Sequence, residues 1–511
     1  MADELQSVDS HGRGAKWAGQ GLHRWQVQIA THGRALLGMA VLCIVTYAAA
    51  LATTYAFRDD YNWILLARAP GYIYGTLAAQ GRPIDGAILS FAFRHTSIDL
   101  SRWIRLVGIL GIGAQGWIIY LAVSRGGFPQ RQAFVVGFLT CTLPSSQVYA
   151  GWASCVGEPW AGALGGCAGL LAWTALDHLR LRHWAGFILA SSAATLTMLI
   201  ALCTYQPTAM LFCVVAAIDS LGDKGARATQ TLRRVAGYAC IAGAALAGGW
   251  AVFRVESARY AKYLIAHRGG MTHDPAAKLR WFLSEVLPDA LNLQNVATSN
   301  AAAIVVAAAL VCGLLLYFRG AFRDRILRLV LAVVVLPIAY VPNLLADESW
   351  AAYRTQAALA SALVIFGFLS LHGVAHAVRR PIPAAVFPIL ASAAAFVAAS
   401  NVVRYITVPQ AIELSLVRMS VLTPGDASRR IYFVPPNWSD SPSPVGRYDE
   451  FGMPSTFAFW VQREIVVDVK RDAFGPSAKP GVTIVTPDQL PTLKLEPGSI
   501  LLDMRNLRNA R

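Results

Sequence analysis

Apolar runs of about twenty residues alternate along this chain with short gaps rich in Gly, Pro, Arg and Asp. They fall near 35–56, 104–124, 132–150, 159–176, 184–204, 207–220, 235–254, 301–317, 326–345, 355–376 and 382–401, the sixth being the shortest. At about 1.5 Å of rise per residue, some twenty helical residues cross a hydrocarbon core of about 30 Å. The pattern predicts an all-α polytopic membrane protein of about eleven transmembrane helices within residues 34–401.

The charged residues between the runs predict the orientation. Arg180 and Arg182, Lys224 through Arg234, Arg319 through Arg328, and Arg379 with Arg380 occupy gaps on one side. The gaps assigned to the other side, around 151–158, 205–206 and 346–353, contain no Lys or Arg. Under the positive-inside rule the basic gaps are cytoplasmic. The N-terminus is then cytoplasmic, and an odd number of spans leaves residues 402–511 outside. Residues 1–33 are polar and lack the apolar core of a signal peptide, so they read as a cytoplasmic leader.

Two external loops are long, about 57–103 and about 255–300. In the second, Asp274 followed by Pro275 is a helix start. Leu279, Phe282, Leu283, Val286 and Leu287 follow at helical spacing, with Arg280, Ser284 and Glu285 opposite. Such a helix lies in the membrane interface rather than across it. Beyond residue 401 the period changes. RRIYFVPP, REIVVDVK, VTIVTP and SILLDM are short β-like runs divided by Pro, Gly, Asp and Ser, which predicts a small α/β or mainly β domain.

Composition agrees with a membrane protein and narrows the function. The chain has 511 residues, 55% hydrophobic and 14% charged, with a mean hydropathy of +0.46. Soluble domains carry about 25% charged residues. A net charge of +15 would suit nucleic acid, but the cations sit in membrane-flanking gaps, so no nucleic-acid role is expected. Seven of the eight cysteines lie in apolar runs, Cys155 lies beside one, and no CxxC pair occurs, against a disulfide framework or zinc site. His95, His267 and His273 are scattered without metal spacing.

Asp59 and Asp60 stand where the first span meets the external face. Carboxylates near membrane depth are costly and mark functional sites. Neighbours on a helix point about 100° apart, so one is expected to face a cavity while the other caps or orients. A cavity carboxylate can take the proton of an incoming hydroxyl. The plainer alternative is a solvated helix start, which favours acids.

A first span ending in DD, an external loop carrying QGRPI, and many spans resemble the GT-C class of membrane glycosyltransferases. Within that class the likeness is to the O-antigen glucosyltransferase family, which uses polyprenyl-phosphate sugars. A Tyr-Gln pair at the outer end of a middle span is matched by Tyr205 and Gln206, and an arginine opening a late span by Arg354. The resemblance covers about residues 1–400; the tail is outside it. It implies an inverting transfer of a hexose, glucose by likeness, from a polyprenyl-phosphate carrier to a lipid or polysaccharide acceptor. The place is the outer face of a bacterial inner membrane. Asp60 or Asp59 is then the base. Arg354 and Arg82 are the cations for the leaving phosphate, which a guanidinium binds bidentately. A snorkelling or solvated arginine is the alternative for each. Glu158, Asp347 and Glu348 open onto the same face and are candidates for sugar hydroxyls, or alternatively plain helix-start residues. No cofactor is implied; a minority of the class uses a divalent ion, which nothing in the sequence indicates.

Two other function classes fit a polytopic chain. A flippase of lipid-linked sugars calls for repeated halves and charges near mid-membrane. Here the carboxylates gather at one rim and no repeat stands out. A non-catalytic assembly protein would use the tail to bind a partner.

Overall fold

The computed structural model describes residues 32–57, 59–222, 227–264, 270–291, 300–421, 430–434 and 481–503, with Val467, Val469 and Arg505 as single positions. The leader before His32 and the rest of the tail lie outside the described residues. All eleven apolar runs are largely helical. The protein is a helical bundle with the composition of a membrane-embedded one.

Among the described residues, five helices are long and apolar enough to cross a membrane. They are Ser101–Arg125, Trp184–Thr204, Thr229–Arg259, Tyr353–Ala377 and Val386–Ile412. The predicted run 132–150 is a bent pair, Gln130–Cys141 and Pro144–Gly151, turned by 60°. Proline at position 144 disfavours helical backbone at Leu143, which is extended at ψ 155°, and the helix breaks there. The run 159–176 is the 24-residue helix Gly157–Arg180, long but rich in glycine. Glycine lets it touch its neighbour: a Cβ on Gly165 would stand 2.1 Å from the Ala209 carbonyl oxygen. Small residues at such contacts let helix backbones close in where no water drives association.

The first run also breaks, into His32–Thr46 and Ala48–Ala52. The carbonyls that follow need partners. Buried Arg105 supplies them, with Nε donating to Ala50 O at 2.8 Å and Nη1 to Tyr55 O at 2.9 Å. This end of the bundle carries the candidate site. At the far end, Arg125 pairs with Asp177 at 3.0 Å and Arg234 with Asp219, joining four helices.

Both long loops fold on the site end. The first contains helices Asp59–Leu66, Tyr72–Ala78 and Pro83–Arg94. In the second, Asp274 Oδ1 accepts from Ala277 N at 2.8 Å, and Pro275 opens the helix Pro275–Trp281. Phe282 and Val286 are buried there, whereas Leu279 and Leu283 are exposed, as a helix lying along a surface requires. In the tail, Ile431–Val434 is the centre of a parallel three-stranded sheet between Val482–Ile484 and Ile500–Asp503. The fourth expected strand, REIVVDVK, is described only at Val467 and Val469, and both are helical. The sheet packs through Ile431, Phe433 and Leu502 on Tyr61, Ile73 and Phe93 of the first loop. Arg418 pairs with Asp99 at 3.3 Å beside that contact.

Candidate functional site

At the site end a cavity of about 290 Å³ opens between the first loop, the Trp184–Thr204 and Ala228–Arg259 helices, and the segment 342–355. Its polar wall includes Arg82, Gln206, Glu348 and Arg354, and its apolar wall Leu202, Leu246, Trp250 and Phe253. The apolar wall belongs to two helices with much of their surface exposed, and Trp250 on it is itself exposed.

Arg82 and Arg354 are each held from behind. Gly81 turns the chain at φ 76°, a conformation glycine adopts without strain, and Pro83 then opens a helix. Arg82 is thereby aimed at the Tyr205-Gln206 break, with Nε donating to Gln206 Oε1 at 3.1 Å and its guanidinium 4.6 Å from the Tyr205 ring centre. Gln206 is fixed in turn by its amide, which donates to Gly81 O at 3.2 Å. The Arg354 guanidinium lies between Trp152 and Trp350, 4.9 and 5.0 Å from their ring centres. Glu158 is buried beside it, with Oε1 3.6 Å from Nη1. Rings and an amide thus hold two flat cations on one wall of the cavity.

A third carboxylate, Asp85, completes this group. It is 3% exposed, and Oδ1 has no hydrogen-bond partner. It faces the start of the Gly157–Arg180 helix so closely that a Cβ on Gly157 would stand 2.3 Å from Oδ1. Burial pushes its pKa up to about 7, while Arg82 and then Arg354 pull it down. Sequence reasoning passed over Asp85. The available signal was an acid three residues after Arg82, in the first turn of a helix in the same loop.

Asp60, expected to face a cavity or to cap a helix, sits away from this cavity. It is fully buried and does not line the cavity. Oδ2 accepts from Phe57 N at 3.0 Å and Ala153 N at 3.2 Å, and Oδ1 accepts from Ser154 N at 2.7 Å. Burial pushes Asp60 up to about 7, while Arg105 and these three amides pull it back. It ties the first loop to the turn before Glu158. Asp59 is partly exposed in the first turn of its helix.

Of the remaining expected residues, the structure brings Arg82, Glu158, Tyr205, Gln206, Glu348 and Arg354 together. Asp347 is exposed and outside the cavity lining, its N–H donating to Gly270 O at 2.9 Å. That bond and the Met271–Ala346 bridge clasp the second loop to the segment before Arg354. Buried Lys278 secures the clasp by donating Nζ to Glu348 O at 2.7 Å.

The chain matches no family model and no curated protein.

Proposed function

We propose that this protein is an inverting membrane glycosyltransferase of the GT-C kind, moving a hexose, glucose by likeness, from a polyprenyl-phosphate carrier to a lipid or polysaccharide acceptor. One observation carries the reading. A single cavity joins two fixed guanidiniums, backed by buried carboxylates, to an apolar wall on the lipid-facing surface. A phosphate esterified to a long hydrocarbon chain needs both halves of such a site. In the same proposal the chain spans the membrane eleven times with its N-terminus in the cytoplasm. The site end and the tail then lie outside a bacterial inner membrane.

The chemistry follows from charge. The acceptor oxygen attacks the anomeric carbon as its proton passes to a carboxylate. The carrier phosphate leaves with the electron pair of the broken bond. Negative charge grows on that phosphate, where Arg354 and Arg82 stabilise it. Asp85 is the carboxylate assigned to the proton: like Asp60 it is buried and off the cavity lining, but its Oδ1 accepts no hydrogen bond and it lies in the field of Arg82 and Arg354 behind the cavity wall. Asp60, held by three amides, supports the turn that carries Glu158.

The test is transfer of radiolabelled sugar from a polyprenyl phosphate by the purified full chain. Labelled product that disappears in Arg354→Ala, with the variant still folded, supports the reading. Carrier that crosses vesicles without hydrolysis or transfer would replace it with the flippase.

A further inference from the structure

Away from the cavity, the bundle holds a feature that the proposed sugar transfer does not use. The helices Gln130–Cys141, Asn300–Tyr317, Ala357–Ala377 and Val386–Val402, with Leu291 of the second loop, line an apolar groove of about 380 Å³ whose walls include Val136, Val306, Val364, Phe387 and Leu390. No charged residue lines it. Toward the far end, two of these helices, Gln130–Cys141 and Ala357–Ala377, with the turn after the second, form another hollow, lined by Gln132, His372, His376, Arg379 and Arg380. The two are separate hollows that neighbour one another on one helix, Leu371 lining the groove and His372 the other.

The turn explains why two arginines stand at the mouth. Ala357–Ala377 ends with Arg379 at φ 57°, and Arg380 N donates back to Ala375 O at 3.0 Å. Glycine is the usual residue at this left-handed position, and any other costs about 1 kcal/mol. Pro381 then stops the helix. Both arginines are exposed, and neither pairs with an acid among the described residues. His372 is fixed by a ring nitrogen 3.1 Å from Gln132 Oε1.

We infer that this groove and its basic mouth bind one anionic phospholipid, its phosphate at Arg379 and Arg380 and its acyl chain along the helices. Length decides the kind of lipid. From Leu363 to Leu371 the groove follows eight residues, about 12 Å of helix. That is close to half of a hydrocarbon core of about 30 Å, the depth of one leaflet. An acyl chain fits this length, whereas a long polyprenyl chain overruns it. Charge decides the headgroup: a basic hollow between helices attracts an anionic one. The leaflet is the cytoplasmic one if the proposed orientation holds; the site itself does not depend on it.

The full chain in neutral detergent would be titrated with dioleoylphosphatidylglycerol, dioleoylphosphatidylcholine or inorganic phosphate. Bound lipid would be followed by native mass spectrometry and stability by melting. The expected result is a bound phosphatidylglycerol that raises the melting temperature more than phosphatidylcholine does. In the double variant R379Q/R380Q its affinity should fall about thirtyfold, two cations being lost from a headgroup site. Leu390→Trp, which fills the groove and leaves the arginines, should weaken phosphatidylglycerol as well. Equal response to the two lipids, or an unchanged affinity in R379Q/R380Q, would overturn the proposal. Inorganic phosphate stabilising the chain as well as phosphatidylglycerol does would move the hollow to a soluble anion and overturn the lipid assignment.

Discussion

Asp85→Asn separates a carboxylate kept for chemistry from one kept for structure. Burial raises the Asp85 pKa from 3.8 to about 7 despite two nearby arginines. At roughly 1.4 kcal/mol per tenfold, the ionised side chain costs the fold about 4 kcal/mol at alkaline pH. The sign follows from proton binding. The folded pKa lies above the unfolded one, so between 3.8 and about 7 the folded chain holds the extra proton. That contribution to stability is complete below the unfolded pKa and lost as pH rises through the folded one. Asparagine does not titrate. The variant should therefore gain on the wild type as pH rises from about 4 to about 7, and hold a roughly constant advantage above that. Local relaxation and water reduce the gain to about 2 kcal/mol. Turnover should fall by about 10²–10⁴-fold, the usual loss with a general base. Melting curves in detergent across that pH range, beside the radiolabel transfer assay, measure both. Normal turnover would remove Asp85 from the chemistry. A stability difference that does not change with pH would refute the argument from burial.

Three further outcomes follow from the same geometry. Asp60→Asn should lower stability by about 1–3 kcal/mol, because its amide group must face one of three N–H donors; an inactive variant that melts like the wild type would return Asp60 to the role of base. Arg354→Lys should lose turnover, since the ammonium cannot form the bidentate fork, and Arg354→Ala should lose about 3 kcal/mol of transition-state stabilisation; full turnover by the Lys variant in the transfer assay would take Arg354 out of the site. Alkaline phosphatase fused after Gln410 should be active, and a reporter that fluoresces only in the cytoplasm should stay dark there; the reverse would invert the proposed orientation.

Local chemistry was legible in the sequence wherever neighbours along the chain decide the structure. The apolar runs became helices because each satisfies its own backbone within the segment. Asp274 and Pro275 began a helix because a cap needs only residues a few positions apart. Arg82, Tyr205, Gln206 and Arg354 were named through the resemblance to the GT-C class, not through the apolar pattern. Long-range packing decided the rest. Asp60 could be placed at the end of a span but not aimed, since the amides of Ala153 and Ser154 that hold it lie over ninety residues away. Asp85 drew no attention as a first-turn acid in the sequence; only the fold closes Gly157, Arg82 and Arg354 around it. The groove lined by Val364, Phe387 and Leu390 likewise exists only between helices. Sequence alone determines which segments leave water; which of their polar groups remain without partners is decided when the helices pack.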